Sequence, residues 1–515
     1  MRGLSLLWTA LALLAGPRRG SPVPAAAEVA ELDIHQGGGR FTWITLINST
    51  PYRWDRTYTH SYQLEGFDDW PQYIWPGQTF QLLCRRPVNW SPQDSAGEVQ
   101  YYLSGTAQPM GFQVEYRSGM PHSVWVRFRG ELSTLNNARA TEHELGDLED
   151  PGGVGFMLAG REGLFVSNDG PLNWMQAMLP AIGHLPLREL AMPRSHNTGM
   201  WKAVAPLGVG LPGNTLTQVD DLYSQLGNGG IRVLDLGIIK YNGEFRVQHA
   251  SDVSLLGHQG MVGAGVEEMI DVVNRFSRDV PGELIVFDIR PVASSSHGLA
   301  WSQLLDGEVA ELYDLFHKLD ARADVPDDED LTRWPLERFV AGARSAVLVR
   351  FSDSWLVRHR GARFPGGAQG FVTTHNLPYG QRWSDTDDVE YLVRDQLTSL
   401  RRARPARNAS AWDTQWILTQ HGLAVAFPVV WLTDLAKAAW RTLYWEFWAG
   451  LTDRTYPNWI TIDSSHRSQL KAMAMAINLC LGARQCGKLG GKVLDPVDYY
   501  HDDYNATVTF GPPAG

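Results

Sequence analysis

The run Ile231-Arg232-Val233-Leu234-Asp235-Leu236-Gly237-Ile238 decides how this chain is read. A short, mostly apolar stretch preceded by Gly229 and Gly230 predicts a strand buried on both faces, as in a parallel sheet. Similar runs recur at 284–289, 346–351, 416–419 and 459–462. Between them, Val266, Met269, Ile270, Val273 and Phe276 repeat at helical spacing, as do Val309, Leu312, Phe316 and Leu319, and then Leu470, Met473, Ala474 and Ile477. Strand alternating with helix across residues 185–495 predicts an α/β fold, a (β/α) barrel of the TIM type in preference to an open sheet.

Working outward, residues 28–166 have a different texture. Strand-like runs at 41–47, 99–103, 112–116 and 124–128 are separated by Gly, Pro, Asn and Asp, and no long helical stripe interrupts them. In the last run Val124, Val126 and Phe128 share one face. This predicts a small all-β sandwich ahead of the barrel, and a chain of 515 residues has room for both.

Residues 1–22 predict a secretory signal peptide: Met1-Arg2, the apolar run 4–16, and small residues Gly20 and Ser21 where cleavage would fall. The run is short for a bilayer span, no later segment is long and apolar enough, and residues 496–515 read as a tail. The expected protein is secreted and extracellular, without a transmembrane segment. In that setting Asn48, Asn89, Asn408 and Asn505 are glycosylation sequons, and Cys480 and Cys486 are close enough to pair as a disulfide, leaving Cys84 over. A net charge of −11 with no Lys/Arg run disfavours nucleic acid as a partner.

Polar groups cluster at the C-terminal ends of the predicted strands, where barrel enzymes carry their chemistry. They are Ser195-His196-Asn197, Asp235 to Gly237 with His249 beyond, Asp288 with Arg290, and Asp463. Each taken alone reads as a satisfied structural group. Two histidines, each at such an end, alongside a carboxylate and an arginine are not accounted for so simply.

At these residues the chain resembles a known family. Met192-Pro193-Arg194-Ser195-His196-Asn197-Thr198-Gly199, then Thr217-Gln218, Gln225-Leu226 and Gly230 to Leu236, resembles the X-region of phosphatidylinositol-specific phospholipases C. Phe245-Arg246-Val247-Gln248-His249 is similar to the strand carrying that family's second histidine, and 281–288 to a later strand. The N-terminal part is only loosely similar to aegerolysin-like fungal β modules, through Ile47-Asn48-Ser49-Thr50 and Pro76-Gly77-Gln78.

The resemblance implies a phospholipase-C-like phosphodiesterase, a phosphoric diester hydrolase or lyase acting on a phospholipid or glycophosphate. It implies His196 as general base, His249 as general acid and Asp463 as the carboxylate orienting His196. The competing reading of Asp463 is a cap on a helix starting near Ser464. Asn197, Asp235, Arg290 and Arg350 are implied as substrate- or phosphate-binding residues. The animal enzymes bind calcium at positions that here read Asn197, Asp235, Gly237 and Arg290. A guanidinium in place of a ligand implies a site with no metal cofactor, with calcium as the alternative.

The chain also departs from the bacterial pattern, whose phosphate-binding arginine is Gly237 here; Arg246, Lys240 or Arg290 could supply the charge instead. Gln420-His421-Gly422-Leu423 lacks the aspartate and tyrosine that accompany Arg350 in the inositol-binding enzymes, so inositol specificity does not transfer. On the expected helix at 432–450, Trp440, Tyr444 and Trp448 share one face, which either dips into a lipid interface or packs on the barrel. A catalytically inactive barrel that binds carbohydrate or a surface is the rival to an enzyme. A glycosidase would have to use Asp235 with Asp288 or Asp463, and leaves the histidines unexplained.

Overall fold

Alternating burial builds the N-terminal region. A computed structural model of the protein describes residues 41–85, 95–117, 123–147, 152–253, 257–295, 302–359, 361–421 and 430–489. The leader at 1–22, the sequons at Asn89 and Asn505, Gly422-Leu423 and the tail at 496–515 lie outside the described residues. Strands β1 (Phe41–Ser49), β2 (Arg53–Tyr62), β3 (Tyr73–Ile74), β4 (Thr79–Arg85), β5 (Ala96–Ser104), β6 (Met110–Arg117), β7 (Ser123–Gly130), β8 (Glu142–Asp147), β9 (Val154–Arg161) and β10 (Leu164–Ser167) form two sheets. The orders are β10-β9-β1-β4 and β3-β2-β5-β6-β7-β8. Trp54, Phe112 and Phe156 meet between the sheets in one core with Val99, Val126 and Leu158.

The four-stranded sheet is buried on its other face as well. Phe156 and Leu158 of β9 enter the sandwich core, while Met157 and Ala159 join the larger core of the following region. Against that second face lie the helix Leu470–Ala476 and the turns around Leu443–Phe447. Asn48 is fully buried here: its amide donates to the carbonyls of Tyr52 and Ile74 and accepts from Thr50. Its sequon is therefore a folding device, and the expected glycosylation of Asn48 is withdrawn because no sugar fits on an amide enclosed in this way. Asn408 is exposed.

The second region contains β11 (Met192–Ser195), β12 (Ala205–Leu207), β13 (Val233–Tyr241), β14 (Glu244–Val253), β15 (Gly257–Gly265), β16 (Leu284–Ser294), β17 (Ala346–Phe351), β18 (Phe371–Thr373), β19 (Tyr379–Arg382), β20 (Ala411–Trp416) and β21 (Trp459–Ile462). Eight of these run parallel in the order β18-β17-β16-β13-β11-β21-β20-β19, and β14, β15 and β12 extend antiparallel from β13. The last strand pairs with the first, so the sheet curls. Tyr379 of β19 reaches across to hydrogen-bond Asp288 of β16 at 2.7 Å. No ladder joins β18 to β19 among the described residues, so the expected closed barrel is not found. The fold is mixed α/β with an open seam.

The helices at 266–279 and 306–316 form where their apolar spacing predicts. The strand expected at 416–419 instead spans Ala411–Trp416. Its Asp413 reads as a strand breaker in sequence but points inward to an arginine. Cys480 and Cys486 form the expected disulfide, and Cys84 is buried in β4.

Candidate active site

Strand residues two apart share a face, so each inward-facing position is followed by another nearer the C-terminal end of the sheet. The lower layer is built on Arg194, which is 2% exposed. Its guanidinium donates to Asp413 (2.8 Å), Thr461 (3.2 Å), Asp235 (2.8 Å) and Asp288 (2.7 Å), so five strands meet on one group. Burial opposes the charge, but Asp235, Asp413 and Asp288 hold the guanidinium protonated well above its ordinary range. Burial also raises Asp235, yet Arg194, Arg290 and His196 outweigh it and bring the carboxyl to about 2.

The next layer carries the histidines. His196 follows β11; its Nδ1 donates to Asp463 at 2.7 Å and its Nε2 accepts from the Asn197 amide at 2.9 Å. Asn197 takes a left-handed φ of 42°, which asparagine tolerates, and turns its amide back over the ring. Its Oδ1 accepts from Arg290, fixing the orientation of the amide. Burial pushes the Asp463 carboxyl upward, against the pull of His196.

His249 on β14 donates from Nδ1 to the Thr215 carbonyl at 3.0 Å and stands edge to face with His196, ring centroids 5.5 Å apart. Burial, His196 and Arg290 together hold its imidazole down to about 3. At neutral pH His249 is therefore uncharged before any substrate arrives, so the proton expected of a general acid has to be acquired rather than stored.

Arg290 lies over these groups, ion-paired with Asp235 at 2.8 Å and 37% exposed at its side chain. Gly237 sits at a bulge in the β13 ladder. A Cβ there would stand 3.2 Å from the Gln248 carbonyl, 3.7 Å from the Arg290 guanidinium and 3.9 Å from Asn197 Oδ1. Position 237 thus faces Arg290 and Asn197, and glycine there leaves the strand without a cation of its own at this point.

His196, Asn197, His249, Arg290 and Asp463 come together, and the other candidates do not. Asp235 is 1% exposed and enclosed by Arg194, Arg290 and the Asn197 backbone, so it supports the site from beneath. Arg350 is buried, donating to Asp288 at 2.6 Å and to the Leu377 carbonyl at 2.8 Å, so its expected substrate contact is withdrawn. Lys240 pairs with Glu311 and Arg246 with Glu244, both away from the mouth. Asp463 does not cap a helix: the next one begins at Leu470, preceded by Gln469. Trp440, Tyr444 and Trp448 are at most 2% exposed and pack inward, which removes the lipid-dipping face.

Thr217 and Gln218 enter the sequence reading only as part of the motif, without the holding role the structure gives them, and Thr215 is missed. The Thr217 hydroxyl and Gln218 amide both donate to the His196 carbonyl, at 2.9 and 3.0 Å, and the Thr215 carbonyl sets the tautomer of His249. As for metal, both oxygens proposed as calcium ligands, on Asn197 and Asp235, already face the Arg290 guanidinium, and this donor set does not fit a divalent cation. Among the described residues no His/Cys/Asp/Glu group has metal-binding geometry.

No family model and no curated protein matches the sequence. Solved structures similar to it include a variant of the phosphatidylinositol-specific phospholipase C of Staphylococcus aureus, at 14% identity and TM-score 0.42, over 58% of this chain and 92% of that one. Another is the phosphatidylinositol-specific phospholipase C of Listeria monocytogenes, at 13% identity and TM-score 0.41, over 60% and 98%.

Proposed function

We propose that this protein is a metal-independent phosphodiesterase of the phospholipase C type, secreted and built on a barrel-like parallel sheet. The observation that carries the reading is the His196–His249 pair. The two rings are 5.5 Å apart, and each has its Nδ1 committed to an acceptor, which leaves both Nε2 atoms for chemistry beside Arg290. A phosphate drawn to Arg290 displaces the Asn197 amide from His196 Nε2. His196 then takes the proton of the attacking hydroxyl or water as the new P–O bond forms. The anion beside His249 favours the charged imidazole, which takes a proton from water as the substrate binds and gives it to the leaving oxygen as the old P–O bond breaks; His196 then releases its proton to water.

A phospholipid substrate fits the rim. Val204, Val209, Leu211 and Val219 are exposed on the segment after β11, with Trp383 after β19 and Trp431 beyond β20. This is the apolar border that an interfacial enzyme needs. No helix among the described residues is long and apolar enough to cross a membrane.

A second reading, a silent protein that binds carbohydrate or a surface, is favoured by how few of the expected cations are left for a phosphate: Lys240, Arg246 and Arg350 are paired with Glu311, Glu244 and Asp288, which leaves Arg290 of the four. The deciding experiment assays phosphatidylinositol, glycerophosphoinositol and aryl phosphodiesters with chelator present, using wild type, His196→Ala and His249→Ala. Either substitution should lower turnover about 10²-fold or more with the melting temperature unchanged. Near-normal turnover in either variant ends the assignment, and no turnover by wild type on any substrate favours the silent reading.

A further inference from the structure

The residues after Asp463 are held in an unusual way. Ser464, Arg467 and Gln469 have φ of 52°, 56° and 59°, three left-handed positions in six residues with no glycine among them. Such conformations persist only where surrounding contacts over-determine them. On one side the holders belong to the candidate site: the Ser464 N–H donates to the Thr217 carbonyl at 2.7 Å and the Ser465 N–H to Gln218 Oε1 at 3.1 Å. These are the same two residues that fix the His196 carbonyl.

On the other side the holders belong to the N-terminal β region. The Asn168 amide, one residue past β10, donates to Gln469 Oε1 at 2.6 Å. Gln469 in turn donates to the Leu145 carbonyl of β8 at 3.3 Å, and Arg467 lies 3.7 Å from Glu144. Asn168 is 1% exposed and itself fixed, accepting from the Met157 N–H and donating to the Gly155 carbonyl, both at 2.8 Å. A rigid sheet edge therefore grips the segment leaving Asp463.

We propose that Asn168 and Gln469 are positioning residues, through which the N-terminal β region holds the 464–469 segment and keeps the Asp463 carboxylate on His196 Nδ1. This gives the β region a part in catalysis and rests on the phosphodiesterase reading for its consequence in turnover. Gln469→Gly tests it, because glycine accepts the left-handed φ and the change removes the tether without adding strain. Gln469→Glu keeps the acceptor for Asn168 while giving up the donation to the Leu145 carbonyl, and serves as the partial rescue.

In Gln469→Gly, kcat should fall on the order of ten-fold with KM nearly unchanged, since small misplacement of a catalytic group is expensive. The downfield His196 Nδ1–H proton resonance, identified by its loss in His196→Ala, should weaken or shift; Gln469→Glu should restore both in part. The resonance is read without substrate, so a wild type that turns over nothing defeats the phosphodiesterase reading while the resonance still tests the tether. A wild-type resonance in Gln469→Gly overturns the proposal. So does equal loss in Gln469→Gly and Gln469→Glu.

Discussion

Two layers of side chains, two residues apart on the same strands, do opposite work. Arg194, Asp235, Asp288, Asp413 and Thr461 are buried and consume one another's hydrogen bonds. His196, Gly237, Arg290 and Asp463 stand one strand repeat further along, where His196 keeps 19% and Arg290 37% of its side-chain surface. Residue chemistry does not separate the layers, since arginine and aspartate occur in both. The difference is whether a charge is already fully partnered: a spent charge stabilises, and a charge with spare capacity and access to water can meet a substrate.

The comparison is broken most decisively at Arg194. Arg194→Ala leaves three carboxylates facing one another in a buried space, and removing one member of such a set costs about 3–5 kcal/mol. Urea denaturation should show a loss of that size, with turnover per folded molecule much less affected. A variant as stable as wild type would mean the lower layer holds nothing together.

Gly237→Arg sharpens the same contrast by placing a cation in the mouth layer above Asp235. Its Cβ would press on the Gln248 carbonyl at 3.2 Å and stand near Arg290 at 3.7 Å, so the new side chain has to extend past both. A preorganised donor there can be worth roughly 3 kcal/mol to the transition state, about a hundred-fold in turnover of small phosphodiesters. Like-charge repulsion with Arg290 works against part of this. If the native substrate places a bulkier group at this point, that substrate is blocked while small ones gain. A folded variant with neither effect shows that position 237 does not face the phosphate.

The two layers also explain what the sequence revealed. Apolar runs located the parallel strands, and His196, His249 and Asp463 could be picked out because the strand ends carry polar groups that a core does not want. Burial was hidden. Asp235 and Arg350 are expected at the mouth from the family resemblance, and a strand's period, which tells the face a side chain takes but not how deep it lies, does not correct this. The strand expected at 416–419 begins at Ala411, and it keeps Asp413 inside it because Arg194 meets that carboxylate. Thr215 and Asn168 act through a backbone carbonyl and a side-chain amide on partners far away in the chain, and nothing local marks them.

The smallest expected effect lies at His249, a partly buried mouth-layer group whose proton affinity is lowered by its surroundings. Its imidazole is held at about 3, against an ordinary 6.5, by burial, His196 and Arg290, with Asp235 pulling the other way. The unfolded chain therefore takes up this proton near pH 6.5 and the folded one only near 3. The stability contributed by neutral His249 is full above 6.5 and is lost as pH falls through that window. Glu446 opposes it: burial raises its carboxyl from 4.5 to about 7, so its contribution is present below 4.5 and fades as pH rises to 7. Subtracting His249→Gln from wild type isolates the histidine. Between about pH 4 and 6 the stability difference should change by less than about 1.4 kcal/mol per pH unit, the limit for one proton, reduced because the ring keeps some contact with water. A difference that stays flat across that range would mean His249 keeps its ordinary proton affinity, could hold a proton before substrate binds, and belongs fully to the mouth layer.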